Sequence, residues 1–258
     1  MNNLERNMIE VLKRLKNDYG VFEIKAEFEA EGSRMEEMMR LKDITSVVGL
    51  PIILKIGGVE AVTDVYNALS IGVKGIIAPM VETPFALSEY LNMIKTMIAE
   101  DNAQDIEFAF NVETITACEN IKAMLELPDT CILTGVTIGR VDLSGSMNVD
   151  REFINTSSKV YDLALIALTE AKEHKLKTGL GGAISKEALP IIEKLFYMLD
   201  KFETRKVVFP IASYKYGEQA IIEANRFELL WLQSKRRYYS RIKVEDDKRI
   251  KMLEERIK

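Results

Sequence analysis

Short, nearly uninterrupted apolar runs alternate with amphipathic stretches along most of this chain, and this alternation constrains its fold more than any other feature. Residues 51–58 (PIILKIGG), 75–81 (GIIAPMV), 108–112, 132–138, 178–183 (TGLGGA) and 206–212 (KVVFPIA) read as strands. Strands that are apolar on both faces belong to a parallel sheet covered on both sides. Residues 21–31 alternate instead. Ile24, Ala26 and Phe28 share one face, and Lys25, Glu27 and Glu29 share the other. Helical spacing fills the gaps. It places Leu4, Met8, Val11, Leu12 and Leu15 on one side of a first helix over 4–18, and further helices follow every strand. The expectation is an α/β fold, a (β/α)8 TIM-type barrel. Seven strands are legible, and such a barrel has eight. The strand before the first helix is therefore expected to be irregular or missing. Residues 1–217 read as the barrel domain and 218–258 as a C-terminal helical extension.

The stretch 105–148 carries the strongest chemical signal. The run 108–112 ends in Glu113, and the run 132–138 leads through Gly139 and Arg140 to Asp142. In a parallel barrel the carboxyl ends of the strands face one way and build the active site. Two carboxylates there can hold one hard divalent cation, Mg2+ or Mn2+, and leave positions for substrate oxygens. The plainer alternative is that Glu113 caps a helix and Asp142 a turn. Lys55 is the one charge in an apolar strand; it reads as a fixed cation of the site or as a strand-end lysine with its head in water. Lys25, Glu27 and Glu29 would form a charged ladder inside a barrel, with Glu27 or Glu29 near the mouth as a base. The alternative is a solvated strand face. Arg140 reads as a partner for a substrate carboxylate or as a structural ion pair. The paired glycines at 57–58 and 181–182 sit at strand ends, where backbone can approach a ligand or simply turn.

Composition removes several classes. Acidic residues (40) outnumber basic ones (35), for a net charge of -5, so no nucleic-acid surface is expected. No apolar run reaches the length of a membrane span, and the first twenty residues lack the pattern of a secretory signal, so a cytoplasmic protein is expected. Cys118 and Cys131 are too few for a disulfide framework or a zinc site. His174 is the only histidine, which excludes paired imidazoles within one chain.

Three motifs, APMVET at 78–83, FNVET at 110–114 and IGRVDLSGSM at 138–147, resemble in order and spacing those of the HpcH/HpaI aldolase and citrate-lyase β-subunit family. A weaker similarity extends over 21–212. The resemblance implies a modified TIM barrel with a divalent metal at its carboxyl end. It also implies making or breaking a carbon–carbon bond next to a 2-oxo acid or an acyl thioester. Glu113 and Asp142 fall on the metal ligands, and Gly139 on a glycine that leaves room for substrate. Lys55 stands where the family has an arginine that binds the enolate oxygen. The aldolases carry a histidine base in a Gly-Glu-His run; here the stretch is AEFEAEGS, without histidine. The function so implied is that of a metal-dependent lyase or aldolase acting on a 2-oxo acid such as pyruvate, with an aldehyde partner. A citrate-lyase-like acyl-CoA lyase and a non-catalytic carboxylate-binding barrel are the alternatives. The resemblance further implies a homo-oligomer that exchanges C-terminal helices. Phe227, Leu229, Leu230, Trp231 and Leu232, then Ile250, Leu253 and Ile257, supply apolar surface, so residues from about 218 onward are expected to pack on a neighbour near its active-site mouth; the alternative is a helix folded back on its own barrel.

Overall fold

The computed structural model describes residues 1–256. Helix α1 (Asn3–Tyr19) comes first, started by a reciprocal Asn2–Glu5 capping box and stopped by Gly20 in the left-handed region. Then follow β1 (Glu23–Glu27), α2 (Met35–Val48), β2 (Ile52–Lys55), α3 (Val62–Ile71), β3 (Gly75–Ala78), α4 (Pro84–Met97), α5 (Glu100–Ala103), β4 (Glu107–Val112), α6 (Ile115–Leu125) and β5 (Gly135–Gly139). After them come α7 (Arg140–Ser146), α8 (Ser158–Glu173), β6 (Lys177–Gly181), α9 (Leu189–Lys194), β7 (Lys201–Glu203), β8 (Val207–Pro210) and α10 (Gly217–Arg256). The eight strands close into one barrel in chain order.

No strand precedes α1; the strand that the apolar pattern leaves out is β7. It has three residues, with Phe202 between two charges, too short to show a period. It also changes the topology. β1 to β7 run parallel, but β8 turns back after Thr204–Lys206 and pairs antiparallel with both β7 and β1. The helix expected over 186–200 is broken into α9 and two short 3-10 turns.

The core has two parts. The larger lies between the strands and the surrounding helices and holds Ile24, Ile52, Ile76, Phe110, Ile138, Leu180 and Phe209. The smaller is a plug of Ile53, Ile77, Ala109 and Val208 inside the barrel. Strand residues alternate between these two faces. On the carboxyl side of the plug the next inward positions include Lys55 on β2 and Asn111 on β4, with Lys25 and Glu27 on β1 and Glu203 on β7 beside them.

Helix α10 spans about 60 Å at 1.5 Å per residue. Its first half lies on its own barrel, with Ala220, Ile221, Ala224, Phe227 and Trp231 buried and α1 as its main neighbour. Lys235 pairs with Glu37 at 3.2 Å, and Arg40 donates to Ser234 at 2.7 Å. From Arg241 to Arg256 every side chain is exposed except Met252, which is half-buried. Phe227 and Trp231, expected at a neighbour's surface, thus belong to this chain's own core, while Leu229, Leu232, Ile250 and Leu253 remain exposed. Ile257 lies outside the described residues. Among the described residues, no helix is long and apolar enough to cross a membrane.

Candidate active site

A cavity of about 410 Å³ opens at the carboxyl end of the barrel. β4 runs on into Glu113, and β5 runs on through Gly139 into α7, so Glu113 and Asp142 both face this cavity. Glu113 is 3% exposed. Its Oε1 accepts from Asn111 Nδ2 at 2.8 Å and its Oε2 from the Met80 N–H at 3.1 Å. Met80 has a φ of 51°, rare for a side chain with a Cβ; that strained turn is what aims its N–H at the carboxylate. Burial pushes the Glu113 carboxyl above its ordinary range, more than Lys55, Asn111 and Met80 pull it down, and the Asp142 charge adds to the rise. Asp142 is exposed, in the first turn of α7.

Gly139 is fitted to Glu113. A Cβ at Gly139 would stand 2.5 Å from Glu113 Cγ and Oε1. The room this glycine leaves, attributed above to substrate, is taken by the carboxylate itself.

Lys55 ends β2 with its ammonium among three carboxylates: Glu29 Oε2 at 2.8 Å, Glu113 Oε1 at 3.9 Å and Glu27 Oε1 at 4.0 Å. The ladder of β1 does point inward. Lys25 Nζ donates to Glu203 Oε1 at 2.6 Å and lies 3.2 Å from Glu27 Oε1. Burial pulls the Lys25 ammonium down, but Glu203 and Glu27 outweigh it and leave its pKa raised. For Glu27, burial pushes up, yet Lys25, Lys55 and Arg205 together hold the carboxyl below its ordinary range. That makes Glu27 a standing counter-ion and a poor base. Glu29 is the more exposed of the two and is held by Lys55.

Arg140 is placed differently from its expectation. Its side chain is wholly buried and is not among the residues lining the cavity. Its guanidinium donates to the carbonyls of Gly181 (3.2 Å) and Gly182 (2.6 Å) and to Asn155 Oδ1 (2.8 Å). It fastens the loop after β6 to the start of α7. The sequence places it two before Asp142, but residues two apart on a helix do not face the same way.

Several cavity residues carried no signal of their own. Glu203 stands on the unrecognised β7, and Asn225 and Glu228 reach the cavity from α10. Asn111 was findable, because it lies two before Glu113 on the same face of β4. In all, six carboxylates (Glu27, Glu29, Glu113, Asp142, Glu203, Glu228) and four cations (Lys25, Lys55, Arg151, Arg205) line the cavity. That excess of negative charge suits a divalent cation. Among the described residues no three or more His, Cys, Asp or Glu side chains gather into a metal cage. Glu113 and Asp142 would give a metal two oxygen donors, a number that Mg2+ and Mn2+ accept when water and substrate complete the shell. Asn111, which lines the same cavity, keeps its Oδ1 buried without a hydrogen-bond partner.

No family model matches the chain, and no curated protein matches it in sequence. Solved structures do match its fold. An HpcH/HpaI aldolase from Desulfitobacterium hafniense is 16% identical, with a TM-score of 0.61 over 75% of this chain and 80% of that one. Citrate synthase SbnG is 15% identical, with a TM-score of 0.61 over 77% and 81%. An HpcH/HpaI aldolase/citrate lyase family protein from Burkholderia cenocepacia is 14% identical, with a TM-score of 0.60 over 90% and 100%. At these identities the likeness is one of fold. The barrel is of the kind that HpcH/HpaI aldolase and citrate-lyase structures have, consistent with the resemblance of the three motifs.

Proposed function

We propose that this protein is a carbon–carbon lyase or aldolase, dependent on a divalent metal, that makes or breaks a bond next to the carbonyl of a 2-oxo acid such as pyruvate. The observation that carries this reading is the convergence of Glu113, Asp142 and Lys55 on one cavity, at the carboxyl end of a barrel of the aldolase kind. Breaking a bond β to a ketone leaves an enolate, and that charge must be stabilised in place. Glu113 and Asp142 would hold Mg2+ or Mn2+, whose Lewis acidity polarises the ketone oxygen. Lys55 supplies a second, fixed positive charge near Glu113. As a point charge it grips an oxygen without the bidentate fork of an arginine. Glu27 and Glu29 balance Lys55 when substrate is away. The apolar plug of Ile53, Ile77, Ala109 and Val208 closes the cavity floor against water from the amino end.

The test is release of pyruvate from a panel of 4-hydroxy-2-oxo acids, with Mg2+ or Mn2+ present, followed by lactate dehydrogenase coupling. Metal-dependent release from at least one member is expected. A chain that neither releases pyruvate nor exchanges its methyl protons with solvent would sink the reading.

A further inference from the structure

The proposed reaction needs a group that takes a proton and gives it back, and no histidine lines the cavity. Of the six carboxylates, Glu113 and Asp142 are the cation pair. Glu27 is held ionised among Lys25, Lys55 and Arg205, and Glu29 is engaged by Lys55 at 2.8 Å. Glu228 comes from α10 and is half-buried; burial raises its carboxyl, and its charged neighbours are Lys206, Arg205, Glu31 and Glu27, with neither oxygen fixed by a partner lysine of the ladder. Glu203 differs from all of these. It is 2% exposed, at the end of β7. Its Oε1 is fixed by the Lys25 ammonium at 2.6 Å, while its Oε2 is buried without a hydrogen-bond partner, on a residue that lines the cavity. A buried oxygen without a partner is costly, so its place calls for a reason. The neighbouring strand makes way for it. A Cβ on Gly181 would come within 3.2 Å of Glu203 Oε1, just as one on Gly139 would strike Glu113. Two successive strands thus carry a glycine at the position where a glutamate enters the lumen.

We infer that Glu203 is the proton-transfer residue of this site, with Lys25 as its positioning residue. The inference rests on the reading given under Proposed function and assigns the base that the missing histidine would have been. In the cleavage direction Glu203 Oε2 takes the proton of the substrate's 4-hydroxyl. The electrons of that O–H bond become the second bond of the new aldehyde carbonyl. The carbon–carbon bond breaks, and its pair stays on the 2-oxo acid fragment as an enolate. Glu203 then returns its proton to the enolate carbon, giving a methyl group and restoring the carboxylate. Protons and electrons balance without another reactant. The charged groups around Glu203 are Lys25, Glu27 and Glu23 on β1, Lys201 on its own strand and Arg205 in the following turn; β6 presents only Gly179 and Gly181, and β8 presents Val208.

Exchange of the pyruvate methyl protons into deuterium oxide, followed by NMR with Mg2+ present, isolates this step. In Glu203→Gln the exchange rate is expected to fall at least about 100-fold, the usual worth of a general base. Its pH profile should lose the acid-side limb of the wild type, and binding of oxalate, an enolate mimic, should stay within about twofold by calorimetry, a readout that a merely structural role would not spare. Should Glu203→Gln fail to fold, Glu203→Asp keeps the charge and draws the carboxylate back from the cavity. A reduced rate with the acid limb retained is then expected. Wild-type exchange in either folded variant overturns the assignment while leaving the function proposed above intact. Absence of exchange in a wild-type protein that releases pyruvate overturns this assignment alone, and absence of both removes that function and this assignment together.

Discussion

Gly139 and Glu113 occupy each other's space: the Glu113 carboxylate lies where the first side-chain atom of any other residue at 139 would be, 2.5 Å from that point. The fit ties the proposed cation site to a position that is itself no ligand. Gly139→Ala should therefore displace Glu113 and weaken Mg2+ or Mn2+ binding by about 10–100-fold, the range for groups that orient a ligand. The Glu113→Gln/Asp142→Asn double variant should bind neither ion. Isothermal titration with each metal measures both effects, and undiminished binding in the double variant would rule the pair out as ligands.

Lys55 is the cation nearest Glu113, and its removal separates chemistry from folding. Lys55→Met keeps the length of the side chain and loses the charge. Turnover should fall by a factor of about 100 or more, since a preorganised donor aimed at a developing oxyanion is worth roughly 3 kcal/mol. The variant should keep its far-ultraviolet circular dichroism. Normal turnover would mean that Lys55 serves only to balance Glu27 and Glu29.

Much of this arrangement was legible beforehand, and the rest was hidden for physical reasons. The alternation over Lys25, Glu27 and Glu29 located a charged face, and the apolar strands after it placed that face inside a barrel. The glutamate and aspartate at the ends of β4 and β5 stood out because each ends an apolar run. Glu203 did not, because β7 is three residues long and two of them are charged. The antiparallel turn of β8 was equally silent, since an apolar run carries no direction. Arg140 misled because nearness in sequence to Asp142 says nothing of facing once both residues enter a helix. The neighbourhood of α10 could not be read either: its apolar residues show that it is covered, and only the packing shows that Phe227 and Trp231 are covered by their own barrel.

The ion pairs of Glu27 set a pH dependence with a definite sign. Its carboxyl is held below the ordinary glutamate value of 4.5 in the folded chain, where Lys25, Lys55 and Arg205 surround it, and returns to that value on unfolding. A depressed carboxylate contributes stability that is present above the unfolded pKa and is lost as pH falls through the folded one. Glu27→Gln should therefore be less stable than the wild type at pH 7. The gap should narrow steadily as the pH is taken below about 4.5. Urea denaturation from pH 7 down to pH 3 measures it. A gap that stays constant over that range would show that Glu27 acts through shape alone.

The far half of α10 is expected to meet a second copy of the chain. Up to Lys235 the helix is tied to its own barrel by the Lys235–Glu37 pair and by buried Phe227 and Trp231. Tyr238 and Tyr239 still lie against Arg40 of α2 and Arg34 at its start, and from Arg241 onward nothing of comparable size covers the helix, although Ile242, Val244, Ile250 and Leu253 are all about half exposed. A helix with few tertiary contacts is marginal in water on its own, because most helical stability in proteins comes from packing. Apolar side chains repeated along such a helix mark a contact. The expected state is a homo-oligomer held by residues beyond about 240. A cut before α10 would strip the barrel of its own core residues, and one at Arg236 would remove Tyr238 and Tyr239 from α2, so the informative truncation ends at Ser240. Light scattering at micromolar concentration should give an oligomer for the full chain and a folded monomer for the truncated one. A full-length monomer would refute the contact, and an oligomer that survives truncation would move it to another face of the barrel.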